Sequence, residues 1–336
     1  MTAIEQLKSG LTIGHFGLGI HGNSSGTPAQ QTHDGDTVSV RGLGNFSVRF
    51  LAIDTPEISF PLPDAPDHFI SIGDSKWKSF LEDPFAPQYH PLDLDAGLTA
   101  DLKNRLGTGA AANHFRHAKK AREELLNEIE KDKNAMGWND ETFEFFLAFA
   151  HEVTDRYGRL LAYINRKDPS ASRPADYNTR QLEKAAACMY NIWANVGSSA
   201  GQDSLSDRVI EPFTANEWAT RDKYMAHSRK AISDARGTGL GIFDQQDPLR
   251  IEPFEIRYLA GRRAPDRWVI DLSKHDDVLS APQQYYRIKM EDRLFVPEEY
   301  VTLFEAKGWR RQTAAAPQRK VVHMATASKA AKGRRA

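Results

Sequence analysis

Cysteine is nearly missing from this chain. Cys188 is the single one in 336 residues, which excludes an intramolecular disulfide framework and any cysteine-rich zinc site. Long apolar runs are missing too. None approaches the roughly 18 residues of a membrane span, so no membrane partner is expected. The opening stretch, Met1 to Ile20, carries Lys8 but no unbroken apolar core, because Gly14, His15, Gly17 and Gly19 interrupt it. No secretory leader is readable, and a cytoplasmic location is the expectation. Net charge is small as well: 44 basic against 45 acidic side chains leave −1. That balance argues against coating nucleic acid by bulk positive charge, but it leaves open a local site for phosphates. What is present is ordinary for a globular chain, 40% hydrophobic and 26% charged, and the length suits two domains or one with large insertions.

Residues 1–31 read as a flexible arm rich in glycine and serine. Gly17-x-Gly19-x-x-Gly22 formally matches a dinucleotide fingerprint, but neither the preceding strand nor the following helix is readable. Residues 37–53 read as a hairpin turning at Gly42–Asn45. Residues 58–109 read as an irregular acidic insertion, with six of the 17 prolines and eight acids against four bases. Apolar spacing predicts helices over about 110–132 and 178–191. A third starts at the capping box Thr214-x-x-Glu217, runs to about Arg236, and has Gly237 as its stop. Strands are expected over 142–153 and 160–164, joined by a turn at Asp155–Gly158. Beyond Pro248, strands over 251–259, 267–272 and 285–290 and a short helix over 301–308 suggest a small α+β appendage, 246–312. The tail 313–336 has six basic residues and no acid, and reads as disordered.

Three pieces carry chemistry. The first is His33-Asp-Gly-Asp36-Thr-Val38. The second is Val48-Arg49-Phe-Leu-Ala-Ile-Asp54-Thr55-Pro56-Glu57. The third is Asp155-Arg156-Tyr157-Gly158-Arg159-Leu-Leu-Ala-Tyr163. Asp36 and Asp54 lie at opposite ends of the hairpin, where strand pairing can join them. Two carboxylates and a carbonyl suit a hard cation such as Ca²⁺. Glu57 could hold or deprotonate a water beside it. Arg49 and Arg159 keep their charge and present planar donor forks, which a phosphate gaining charge requires. Together these describe phosphodiester hydrolysis. Arg49 and Asp54 are five apart, on opposite faces of an ideal strand, so they share a site only if the strand bends, bulges or ends near Asp54. Each piece alone is ordinary: Asp-Gly-Asp is a common turn, Asp-Thr-Pro-Glu a common helix start, and Arg159 a common solvated turn residue. Their joint occurrence in this order is not.

The three pieces resemble the staphylococcal nuclease (thermonuclease) family, which shows Asp-Gly-Asp-Thr, then Arg-x-x-x-x-Asp-Thr-Pro-Glu, then Asp-x-Tyr-Gly-Arg-x-Leu-Ala-Tyr. The stretch Ala231 to Phe243, closing with Gly239-Leu-Gly-Ile-Phe243, also agrees. The resemblance covers roughly residues 32–245, interrupted by 58–109. It implies an α+β fold, an OB-type five-stranded β-barrel with about three helices. It implies Ca²⁺ on Asp36, Asp54 and the Thr55 carbonyl, with Asp34 a carboxylate behind them. Glu57 would activate water, and Arg49 and Arg159 would bind the phosphate. Arg156 and Tyr157 would touch a neighbouring phosphate, and Tyr190 and Trp193 the bases. The expected activity is endonucleolytic hydrolysis of DNA or RNA leaving 3′-phosphate ends, with no protein partner assignable. The alternative is a non-catalytic nucleic-acid- or protein-binding module on the same barrel, which has no need of Asp36, Arg49, Asp54, Glu57 and Arg159 together. The family has only a short loop after the glutamate. The insertion after Glu57 is therefore expected to form a lip over the site. His114-x-x-His117 reads as a pair of exposed or structural histidines and Cys188 as a small buried residue.

Overall fold

The structure, a computed structural model, describes residues 4–6, 12–42, 45–155, 159–197 and 204–312. Arg156, Tyr157 and the tail 313–336 lie outside the described residues.

Five strands close into a mixed β-barrel in an α+β fold: Thr12–Leu18, Thr37–Arg41, Asn45–Phe50, Glu144–Thr154 and Leu160–Arg166. Around the ring, Thr12–Leu18 pairs with Glu144–Thr154, which pairs with Leu160–Arg166. Leu160–Arg166 runs parallel to Asn45–Phe50, which forms the expected hairpin with Thr37–Arg41. The pairs Gly17↔Arg41 and Leu18↔Val40 shut the ring. Alternation sends Val38, Val40, Val48, Phe50, Leu147, Phe149, Leu160, Ala162 and Ile164 into one core.

The 1–31 arm is corrected by this closure. Its glycines do not mark a linker. Phe16 and Leu18 point into the core, and Gly17 between them admits the Phe143 carbonyl and Arg41 close by. A Cβ on Gly19 would lie 2.2 Å from Gln31 Oε1, so a side chain there would require the Gln31 amide to move aside.

The long helix Ala110–Ala135 packs across the barrel, slightly longer than its apolar spacing predicts. The helix expected over 178–191 spans only Tyr177–Glu183. It ends where Ala185 turns to φ 48°, and Cys188–Met189 and Asn191–Ile192 are short strands. The third expected helix is two, Ala215–Arg221 and Lys223–Thr238. Asp222 separates them by taking an extended backbone and capping the second through the Met225 amide. The left-handed stop is Gly239, not Gly237.

Segments 58–109 and 246–312 also need correction. The insertion is regular. It holds a hairpin, Ser59–Leu62 with Ala65–Ser71, and helices Ser75–Glu82 and Ala96–Arg105, each opened by an aspartate cap. The stretch expected as a strand over 251–259 is the helix Pro253–Gly261. Pro253 sits in its first turn, and Glu252 and Glu255 form a capping box. The stretch 285–290 belongs to 3₁₀ turns, and the nearby strand is Arg293–Val296. Insertion and appendage share a second core, with Trp77, Phe80, Leu98 and Leu102 against Ile251, Ile256, Leu259 and Tyr285. The appendage is joined to the barrel side as well, because Asn191–Ile192 pairs with Arg293–Val296 in a five-stranded sheet. Among the described residues, no helix is long and apolar enough to cross a membrane.

Candidate active site

The parity problem between Arg49 and Asp54 is solved by a break. The strand ends at Phe50, and Ala52 adopts φ 63°. Ile53–Asp54 then restarts as a short strand against Cys188–Met189. Buried amides hold this kink. Asn178 Nδ2 donates to the Leu51 carbonyl at 2.9 Å, and the Tyr190 amide donates to the Ala52 carbonyl at 2.8 Å.

The Asp34-Gly35-Asp36 turn is pressed on the long helix. Gln181 Nε2 donates to both the Gly35 and Ala121 carbonyls. A Cβ on Gly35 would sit 2.6 Å from Ala121 Cβ, so this turn needs glycine for close approach. The turn and the kink meet where the Thr55 amide donates to Asp36 Oδ2 at 2.8 Å.

Four sequence-expected residues converge here. Arg49 Nη2 pairs with Asp54 Oδ1 and lies 3.4 Å from Asp36 Oδ2. A residue not anticipated joins them. Arg257, on helix Pro253–Gly261, donates from Nη2 to Asp54 Oδ2 at 2.7 Å. Its Nη1 donates to Asp54 Oδ1 at 2.9 Å and to Glu57 Oε1 at 2.7 Å. The charges therefore alternate in a row: Asp36, Arg49, Asp54, Arg257, Glu57. The carboxylate of Asp54 is fully buried, whereas the Arg49 and Arg257 side chains are 13% and 26% exposed.

Burial and charge tune the acids. Burial pushes Asp34 well above the usual carboxylate range, with the Asp36 and Glu57 charges adding to it. Burial would also raise Asp36, but Arg49, the Asp34 hydrogen bond and the Thr55 amide outweigh it and hold Asp36 at about 2. Burial raises Glu57 despite Arg257 and Arg49. Asp34 Oδ1 accepts the Asp36 amide from behind, and Glu57 is held more basic than Asp36.

His114 positions Glu57. Its Nε2 accepts the Glu57 amide at 2.8 Å, so Nδ1 carries the proton and faces the Ile251 carbonyl at 3.3 Å. Burial lowers its pKa to about 3, which keeps the ring neutral. One imidazole thus links the long helix, the Glu57 loop and the segment leading to Arg257. The structural reading of this histidine agrees with the sequence expectation.

Arg159 sits beside the strand of Arg49, and Tyr190 and Trp193 sit in packed cores. Parallel register sets Leu161 opposite Arg49, which puts Arg159 one residue ahead of its strand on the Arg49 face. Its Nε donates to Asp155 Oδ2 at 2.7 Å. Tyr190 and Trp193 do not offer rings to bases. Tyr190 is buried, stacked on Phe254 with Arg257 and Arg267 over its ring, and its hydroxyl accepts from Arg267 at 2.8 Å. Trp193 is 3% exposed and packs edge-on against Tyr300 and Phe304. Apolar packing against the appendage claims both.

Calcium takes six to eight oxygens at about 2.3–2.6 Å. The donor chemistry of Asp36, Asp54 and Thr55 is of that kind, but the carboxylate oxygens of both aspartates are engaged. Both Asp54 oxygens accept from guanidinium, and Arg49 bridges Asp54 to Asp36. As arranged, the residues do not fit Ca²⁺, and no chemical step is drawn through it.

No family model and no curated protein matches the sequence.

Proposed function

We propose that this chain hydrolyses phosphodiester bonds of DNA or RNA at the Asp36–Arg49–Asp54–Glu57 cluster, on a barrel of the OB type. The barrel reading is supported by the strand order. Numbered along the chain, the five strands follow one another around the ring as 1-2-3-5-4 with a single parallel pair, a Greek-key path. The function rests on one observation: a buried carboxylate of raised basicity, Glu57, lies in one row with two permanently charged guanidiniums whose side chains keep partial exposure.

In this reading the phosphate docks on the exposed edges of Arg49 and Arg257. Glu57 takes a proton from water as its oxygen bonds to phosphorus. The bond to the 5′-oxygen breaks, that oxygen takes a proton from solvent, and a 3′-phosphate end remains. The arginines offset charge growing on the phosphoryl oxygens. Asp36 and Asp54 keep both guanidiniums oriented.

The test is digestion of labelled single-stranded DNA and RNA across a metal series and in EDTA, with end-group analysis. Glu57→Gln is expected to lower cleavage by about 10²–10⁴-fold with binding retained. Binding without cleavage under every condition would instead favour a non-catalytic binding module. The engagement of Glu57 by Arg257 is the observation on that side.

A further inference from the structure

The carboxylate row poses a question of charge. Asp36, Asp54 and Glu57 converge in a buried place, and such a cluster needs a counter-cation. The two gaps in the row are filled by the chain itself. Arg49 Nη2 spans Asp36 and Asp54, and Arg257 spans Asp54 and Glu57.

We propose that Arg257 is the resident cation of this site: it takes the place between Asp54 and Glu57 that a divalent metal would need, so the cluster handles anionic ligands without binding Ca²⁺. The inference rests on the reading of this cluster as a phosphate-handling site.

Three observations carry it. The first is saturation. Asp54 accepts guanidinium donors on both oxygens, two of them from the planar fork of Arg257 at 2.7 and 2.9 Å. A cation there would have to displace that fork.

The second is permanence. An arginine does not deprotonate at working pH, so the counter-charge cannot be switched off. Its pairing with Asp54 and Glu57 holds the guanidinium still more firmly in the charged form.

The third is that the fold, not the site, holds Arg257 where it is. Two residues earlier on the same helix, buried Glu255 takes a bidentate pair from Arg105 at 2.6 and 2.7 Å. It also accepts from the Tyr285 hydroxyl at 2.6 Å and the Glu252 amide at 2.7 Å. Glu252 in turn is clasped by Arg293 at 2.8 and 2.9 Å. This network belongs to the second core. The insertion, through Arg105, and the appendage, through Glu255, therefore act together as the mount of one guanidinium. That gives both segments a shared purpose at the site.

The experiment is calorimetric titration of the full-length chain with CaCl₂, beside Arg257→Gln, Asp54→Asn and the double variant. The wild type is expected to show no Asp54-dependent Ca²⁺ binding tighter than about 1 mM, the weak end of natural calcium sites. Arg257→Gln is expected to gain a site at least about tenfold tighter, lost again in the double variant. Circular dichroism checks the fold. If Arg257→Gln does not fold, Arg257→Lys serves, since it keeps the charge but loses the fork; a weaker Asp54-dependent site is then expected. Wild-type Ca²⁺ binding below about 1 mM that Asp54→Asn removes would overturn the proposal. So would the absence of any gain in the folded Arg257 variant. These readouts do not depend on cleavage, so a chain that cuts no nucleic acid can still pass, and a nuclease can still fail.

Discussion

Arg257 and Glu57 stand 200 positions apart in the chain and 2.7 Å apart in space. That pair joins the second core to the barrel at the point where the chemistry would occur. The acids beneath it are buried, so the pair is structural as well as functional.

Removing the guanidinium alone leaves Asp54 and Glu57 short of a partner. Arg257→Ala is expected to lower stability by about 1–3 kcal/mol, less than a fully buried pair because the side chain is 26% exposed. Urea denaturation measures it. A change below about 0.5 kcal/mol would mean that solvent already screens the row.

Gly35 has no room to grow. A Cβ there would meet Ala121 Cβ at 2.6 Å and its carbonyl carbon at 2.9 Å, which are helix atoms that cannot rotate away. Gly35→Ala should therefore move the turn, displace Asp36 from the Thr55 amide, and cost about 1–3 kcal/mol. Thermal melts paired with a nucleic-acid binding assay test this. Unchanged values in both would show that the turn and helix can part without loss.

His114 predicts a pH dependence. Its folded pKa is near 3, against 6.5 for the free side chain, so the unfolded chain binds the extra proton across that window. Stability should then rise as pH climbs from about 3 to 6.5, with a slope of up to about 1.4 kcal/mol per pH unit from this group. His114→Gln should flatten that slope relative to the wild type in melts taken across the window. Parallel curves would remove His114 as the cause.

Arg105 touches no ligand, yet it should matter at the site. Arg105→Ala strips buried Glu255 of its bidentate partner and is expected to cost about 3 kcal/mol. It should also weaken phosphate binding, because the helix of Arg257 loses its anchor. Nucleic-acid affinity unaltered in a folded Arg105→Ala chain would show that the anchor and the site are independent.

Much of the barrel was legible because its strands alternate cleanly. The Arg49–Asp54 spacing even demanded a break before Asp54, and Ala52 supplies one. The helix of Arg257 was not legible for a definite reason. Phe254, Ile256 and Tyr258 alternate with Glu255 and Arg257, as strand residues facing a core would. Glu255 is itself fully buried, so the polar half of that alternation does not mark a solvent face. Pro253 and the Glu252–Glu255 box were the truer signals. The first strand was missed because glycine was read as freedom where it provides clearance. The second core escaped because its halves lie on separate segments, each too short to declare a face. A contact such as Arg257 with Asp54, 203 residues away, leaves no local trace at all.

The strand Thr12–Leu18 has a practical meaning for handling this protein. It is the stave that hoops the barrel, pairing on one side with Glu144–Thr154 and on the other with Thr37–Arg41. A fragment starting at His33 would keep every residue of the resemblance and lose that stave. Its sheet would then expose unpaired amides and carbonyls along Glu144–Thr154 and at the Val40–Arg41 end of its partner edge, which invite other copies to dock. Such a fragment should precipitate, and its silence in an assay would say nothing about the chemistry of Glu57.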